Sequence, residues 1–157
     1  MSDLQFKAAA TAADFEQGRR LFEEYAGSLD FDLGFQDFKK ELDTISHQYQ
    51  KPKGTLLLCF HNETAIGCVG IRALSENTAE LKRLYVRPAY RNLKIGKQLL
   101  ERAIDTAKEL RYAYIRLDTV PSQAKAQELY RLLGFYNIAP YRHNPIAGTI
   151  YMERKLD

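Results

Sequence analysis

The fold of this chain is decided by residues 79–100, which read AELKRLYVRPAYRNLKIGKQLL. Leu81, Leu84 and Val86 are typical of a strand, and the Arg-Pro pair that follows them is a strand breaker. From Ile95 onward apolar residues recur at helical spacing, so a helix is predicted to begin near residues 92–94. These residues are therefore predicted to form a strand, a turn and an amphipathic helix in one continuous unit.

The turn and the first part of this helix are basic, since they carry Arg87, Arg91, Lys94 and Lys97. The first turn of a helix also presents backbone N–H groups without intrahelical partners and the positive end of the helix dipole. Both features favour anions. The segment is therefore predicted to bind phosphate, and a pyrophosphate suits it well.

The residues after the strand also carry a family resemblance. Arg91 and Gly96, following Leu84-Tyr85-Val86, resemble motif A of the GNAT superfamily of acyl-CoA-dependent N-acetyltransferases, whose pattern is Arg/Gln-x-x-Gly-x-Gly/Ala. Lys94 stands where the first glycine of that pattern lies. A lysine with positive φ there costs roughly 1 kcal/mol, which its ammonium could offset by meeting a phosphate.

A second motif follows in the expected order. Residues 129–135, LYRLLGF, resemble the end of the family's motif B, LY-x-x-x-GF, and Gln123 stands where many members carry Asn. The resemblance covers about Thr55 to Leu156. It implies that acetyl-CoA binds here and leaves as coenzyme A, held by Leu84, Tyr85, Val86, Arg91, Asn92, Leu93, Lys94, Ile95, Gly96 and Lys97.

Two catalytic residues are implied by the same resemblance. Glu80, eleven residues before Arg91, is expected to accept the proton of the amine, and Tyr130 is expected to donate a proton or hydrogen bond to the departing thiolate. The alternative for Glu80 is a solvent-facing strand residue. The alternative for Tyr130 is a core aromatic residue.

The implied fold is a single α/β domain over residues 1–157. Its sheet is expected to be mixed, largely antiparallel and of about seven strands, with helices on both faces and a splay between the fourth and fifth strands. Within the fourth strand the apolar pattern slips by one residue at Lys82-Arg83, which predicts a β-bulge. An edge strand with exposed polar residues is the alternative.

The implied function is acetylation of a primary amine on a small molecule or peptide, by direct attack within a ternary complex. Arg83, Tyr141, His143 and Asn144 are weaker candidates for binding this acceptor, because the last hairpin and the fourth strand should flank one cleft. A non-catalytic acyl-CoA-binding regulatory module is the alternative. A nucleotide-binding protein is a weaker one, because the chain has neither a P-loop nor a GxGxxG fingerprint.

Composition narrows the class of protein further. The formal net charge of +3 is mild and its charges are interleaved, so no nucleic-acid partner is expected. The N-terminus lacks a signal-peptide pattern and no stretch is long enough to span a membrane, so the protein is expected in the cytoplasm, without membrane association. The sheet edges could support a homodimer, as in many relatives.

The cysteine and histidine residues point to structural roles. Cys59 and Cys68 fall in two hairpin strands and are expected to be buried thiols, not a disulfide, and no base beside them supports an acetyl-cysteine route. The three histidines are scattered, so no metal site is predicted.

Overall fold

A computed structural model of the chain describes residues 3–157, apart from the side chains of residues 35 and 36. The strands are β1 (Leu4–Ala8), β2 (Thr55–His61), β3 (Thr64–Ala73), β4 (Thr78–Val86), β5 (Tyr114–Thr119), β6 (Tyr136–Ile138) and β7 (Ile150–Lys155). The α-helices are α1 (Ala12–Ser28), α2 (Phe38–Asp43), α3 (Ile45–Gln48), α4 (Ile95–Glu109) and α5 (Ala124–Leu132). Short 3₁₀ turns span Leu33–Gln36, Pro88–Tyr90 and Pro121–Gln123.

The described strands form one seven-stranded sheet in the order β1-β2-β3-β4-β5-β7-β6. Only the central β4–β5 pair is parallel, and the other neighbours are antiparallel. The parallel ladder joins only residues 78–80 of β4 to residues 114–116 of β5, after which the two strands part. The predicted mixed sheet and its splay between the fourth and fifth strands are both confirmed.

The predicted bulge lies in β4, next to the splay. The β3–β4 register moves from Lys82 opposite Gly70 to Tyr85 opposite Cys68, so two residues of β4 face one residue of β3. Arg83 takes up the extra length with a φ of 60°, in the left-handed region. The phase slip in the sequence therefore marked a real irregularity of the strand.

The two faces of the sheet are covered by different helices. The apolar stripe of α4 packs on one face, together with Ala79 and Leu81 of β4. On the other face, α1 packs through Leu21 and Phe22. Because side chains alternate along a strand, the polar side chains of β4 point towards the α1 side. Within residues 3–157, no helix is long and apolar enough to span a bilayer.

Helix ends follow local sequence signals with one exception. Thr11 and Asp14 form a capping box at the start of α1, and Gly134, with a φ of 95°, follows the last turn of α5. The exception is α5, where a serine after Val120-Pro121 would be expected to cap the helix, but Ser122 does not. That serine lies inside the 3₁₀ turn that begins at Pro121, which delays the start of α5 to residue 124.

Both cysteines are buried free thiols, as predicted. The Cys68 Sγ donates a hydrogen bond to the carbonyl oxygen of Arg83 at the bulge, 3.3 Å away. Burial raises the pKa of Cys59 to about 11 and raises that of Cys68 further. Both side chains are therefore held as neutral thiols, which disfavours a nucleophilic role.

Candidate active site

A large cleft opens where β4 and β5 part, bounded by the start of α4 and by α5. Its volume is about 970 Å³, which lies in the range of small-molecule and cofactor sites. All of the residues implied to bind the cofactor line it except Leu93, whose side chain lies outside and is exposed. Further lining residues come from α1, the turn before α4 and the α5 region: Tyr25, Ser28, Tyr90, Ser122, Gln123, Ala124, Lys125, Ala126, Leu129 and Leu132.

The start of α4 forms one wall of this cleft. Lys94 is its N-cap residue, with a φ of 61°, and no side chain in the described part of the chain caps the helix. Asn92, two residues earlier, has a φ of 70°. Lys94 thus adopts the backbone angles that glycine supplies in the family pattern, and the uncapped N–H groups of the first turn remain available to an anion.

The basic residues of the turn separate into two groups. The Nε of Arg91 donates a hydrogen bond to the carbonyl oxygen of Val86, 2.9 Å away, and its guanidinium lies 5.7 Å from the Tyr85 ring centroid. Arg87 instead pairs with Glu24 of α1 and does not line the cleft. Arg91 therefore ties the loop to the end of β4 beside the cleft.

A second, narrower cavity adjoins the cleft on the α1 side of the splay. Its volume is about 40 Å³, and it shares Tyr25, Leu84 and Gln123 with the cleft. We call it the acceptor cavity, and the rest of its lining is Phe31, Leu33, Leu81, Lys82, Arg83, Leu117, Asp118, Thr119, Val120, Tyr130 and Asn144. Of the sequence-derived candidates, Tyr130, Arg83 and Asn144 line this cavity, whereas Glu80, Tyr141 and His143 do not.

Tyr130 projects from α5 into the cavity lining. Its side chain is buried among the residues that pack on α4, with the Phe135 ring 5.6 Å away. Burial raises the pKa of its hydroxyl well above the usual value for a phenol. The hydroxyl therefore keeps its proton at neutral pH and is able to donate a hydrogen bond.

Glu80 is 1% exposed, and both of its carboxylate oxygens have partners. Its Oε1 lies 3.3 Å from the Nε of Arg72. Its Oε2 accepts a hydrogen bond from the Tyr141 hydroxyl at 2.9 Å and lies 2.6 Å from a guanidinium nitrogen of Arg142. The solvent-facing alternative for Glu80 is excluded, and the two arginines beside it were not singled out by the sequence.

Arg83 is held by a partner that the sequence did not indicate. Its guanidinium makes two hydrogen bonds to Glu41 of α2, at 3.1 and 2.7 Å, and Tyr49 donates another to the same carboxylate at 2.8 Å. Burial disfavours the charged form of Glu41, but hydrogen bonding and attraction to Arg83 outweigh it and lower the Glu41 pKa. The pair fixes the bulged residue of β4 against α2.

The loop between β6 and β7 covers the α1 side of the splay. Asn144 donates from Nδ2 to Asp118 Oδ2 at 3.1 Å, and its Oδ1 accepts from the backbone N–H of Ile146. His143 is exposed. The loop is therefore attached to the two parting strands through Glu80 on β4 and Asp118 on β5.

Lys82 and Asp118 line the cavity, although neither was predicted from the sequence to be a site residue. A signal existed for both. Asp118 alternates with the buried Ile115 and Leu117 along β5, and Lys82 sits at the phase slip of β4, so each is a charged residue next to a predicted splay. Burial, together with the nearby charge of Arg83, lowers the pKa of Lys82 to about 8.

Two parallel strands part beside a helix N-terminus, and a cofactor-sized cleft opens on one side of them. This arrangement is that of the N-acetyltransferase fold. The chain belongs to the acetyltransferase (GNAT) family, whose family model matches residues 16–135.

Individual relatives agree with this assignment. An uncharacterized N-acetyltransferase of Schizosaccharomyces pombe is 34% identical over 99% of this chain and 96% of its own length. The N-acetylaspartate synthetase of Mus musculus is 31% identical over 74% of this chain, which corresponds to 40% of that protein. A crystal structure of a GNAT-family acetyltransferase from Staphylococcus aureus superposes with a TM-score of 0.79 at 27% identity, covering 98% of this chain and 99% of that chain.

Proposed function

We propose that this protein transfers the acetyl group of acetyl-CoA to the primary amine of a small molecule, by direct attack within a ternary complex. One observation carries the proposal: the cofactor-sized cleft and the acceptor cavity meet at the splay, with Tyr130 in the wall of the cavity. The uncapped start of α4, with Lys94 and Lys97, is proposed to hold the pyrophosphate.

In the proposed reaction the neutral amine nitrogen attacks the thioester carbonyl carbon. A C–N bond forms, the C–S bond breaks with its electron pair staying on sulfur, and coenzyme A leaves as a thiolate that the Tyr130 hydroxyl stabilises by donating a hydrogen bond. Among the described strands, none pairs with β4 beyond Glu80 on its β5 side, so a backbone N–H of that segment, from Leu84 or Tyr85, is proposed to polarise the thioester carbonyl. No covalent acetyl-enzyme is required.

The amine must also lose a proton, and Glu80 is the proposed acceptor. Its Oε2 already accepts a hydrogen bond from Tyr141 and forms an ion pair with Arg142, so both contacts compete with the proton of the amine. To take a proton, Glu80 must exchange one of these partners. Base function would then depend on movement of the loop between β6 and β7.

The acceptor is proposed to be small, because the acceptor cavity is narrow. The mouse relative is named for a product that is an N-acetylated amino acid, which supports an acceptor of that size.

The proposal is tested by thiol release from acetyl-CoA with amino acids, polyamines and peptide N-termini, beside a thermal-shift titration with acetyl-CoA. Lys97→Gln should weaken the cofactor-induced shift, and Lys108→Gln, on the exposed surface of α4, should not. Turnover with any amine supports the transferase. A cofactor-induced shift without turnover would favour a binding module, and the absence of a shift would overturn the cofactor assignment.

A further inference from the structure

The acceptor cavity lies between two charged side chains, Lys82 and Asp118, which occupy equivalent positions on β4 and β5 where the two strands part. In the parallel ladder, Glu80 of β4 pairs in register with Arg116 of β5, and this is the last pair before the strands part. Because side chains alternate, Lys82 and Asp118 are the next residues of each strand on the same face. Both line the acceptor cavity.

We infer that the acceptor is an amine that also carries a carboxylate, such as an amino acid, with its ammonium end at Asp118 and its carboxylate end at Lys82. The inference rests on the proposed function, because it names the substrate class of the same site. It concerns how the acceptor binds and assigns no proton transfer to Asp118 or Lys82.

The surroundings of Asp118 support an amine-binding role. Within the described part of the chain its carboxylate has one hydrogen-bond donor, the side chain of Asn144 at Oδ2, and it forms no ion pair there. Its charge nevertheless reaches the cavity residues Tyr25, Tyr130 and Lys82, on whose pKa values it acts. A cation placed among these side chains would gain a favourable interaction with Asp118, because attraction is strong where water is largely excluded.

The surroundings of Lys82 support carboxylate binding. Its side chain is 4% exposed, and burial lowers its pKa to about 8, so the ammonium lacks much of the solvation it has in water. Glu80 is paired with both Arg72 and Arg142, so these three side chains carry one excess positive charge, and Glu80 and Arg72 lie close enough to Lys82 to act on its pKa. An acceptor carboxylate near Lys82 would be attracted by this excess positive charge, and it would favour the charged form of the lysine.

The size of the cavity fits one end of an amino acid and excludes a folded surface. A water molecule needs about 10–15 Å³ by the same measure, and the cavity provides about 40 Å³. That space holds a few heavy atoms, which matches an α-carbon with its ammonium and carboxylate groups. A long polyamine would place a second ammonium near the excess positive charge around Lys82, which would repel it.

The test compares matched acceptors on the wild-type enzyme. For each amino acid, kcat/KM for thiol release is measured beside that of its carboxamide, which keeps the amine and lacks the carboxylate. We expect the best amino acid to exceed its amide by at least about 10-fold, equivalent to about 1.4 kcal/mol. Equal activity of amides, or turnover confined to polyamines or peptide N-termini, would overturn the inference while leaving the transferase function intact.

Variants assign the two ends of the acceptor. Lys82→Met should remove the preference for the acid over the amide, and Asp118→Asn should raise KM for both acceptors. Lys108→Gln and Asp105→Asn, on the exposed face of α4, are the matched controls. They should change neither the preference for the acid over the amide nor the KM for either acceptor. Folding of each variant is checked by its thermal shift with acetyl-CoA, and persistence of the acid preference in a folded Lys82→Met enzyme would count against the inference. If no acceptor of any class turns over, the proposed function itself has failed.

Discussion

Replacing Glu41 by Gln should destabilise this protein far more than the same change at Glu24. Glu41 and Arg83 are 2% and 3% exposed, and the change leaves the Arg83 guanidinium buried opposite a neutral amide. Breaking a buried ion pair from one side typically costs about 3–5 kcal/mol. Since 1 kcal/mol shifts the Tm of a domain this size by about 2–4 °C, the expected fall in Tm is about 6–20 °C.

The Glu24–Arg87 pair provides the internal control. Its side chains are 39% and 28% exposed, and pairs of this kind contribute about 0–1 kcal/mol. Glu24→Gln should therefore lower the Tm by no more than about 4 °C. Urea unfolding of both variants measures the free energies directly. Equal losses for the two variants would refute the reasoning, as would a double variant Glu41→Met/Arg83→Met that is less stable than Glu41→Met alone.

The same pair predicts how stability depends on pH. Because the pKa of Glu41 is lowered in the folded protein, its ionised form contributes stability above its unfolded pKa of about 4.3, and that contribution is lost as the pH falls through the folded pKa. The gap in unfolding free energy between wild type and Glu41→Gln should therefore narrow below about pH 4. A gap that widens on acidification would contradict the assigned sign.

Three further predictions concern the cleft and the catalytic residues. Tyr130→Phe should lower kcat about 10-fold without changing KM for acetyl-CoA in initial-rate assays, because a thiol with a pKa near 8.5 is already a fair leaving group; unchanged kcat would remove the donor role. Lys94→Gly should raise the Tm by about 2–4 °C, because it relieves about 1 kcal/mol of strain from the left-handed backbone. The same change should weaken acetyl-CoA binding measured by calorimetry. Tighter binding would contradict a contact between Lys94 and a phosphate. Glu80→Gln should lower kcat about 10²-fold or more if Glu80 takes the amine proton. Glu153→Gln is the control, because it removes a carboxylate on β7 that is also paired with an arginine, and it should not lower kcat to that extent. Equal losses of kcat would assign Glu80 a structural role.

The sequence predicted the architecture well because its signals are local. The bulge at Lys82-Arg83 and the start of α4 follow from a phase slip and from apolar spacing after a basic turn, within a few residues of one another, whereas the seven-stranded sheet was implied by the family resemblance. The motif spacing also indicated the cleft. Leu93, placed in the cofactor site by position alone, is exposed because the loop turns its side chain outward between two left-handed residues.

The acceptor side could not be predicted as well, because it depends on contacts between distant segments. Glu41 meets Arg83 across 42 residues, and Tyr141 meets Glu80 across 61. No local pattern predicts such pairs. Asp118 is a partial exception, since an acidic residue on a strand expected to splay is a signal that is visible in the sequence.

The most direct test of the account measures initial rates of thiol release while acetyl-CoA and an amino acid acceptor are both varied, with the acetylated acceptor identified by mass spectrometry. Direct transfer in a ternary complex predicts double-reciprocal lines that converge and one acetylated acceptor for each thiol released. Parallel lines, the sign of a covalent acetyl-enzyme, or thiol release without an acetylated acceptor would contradict it.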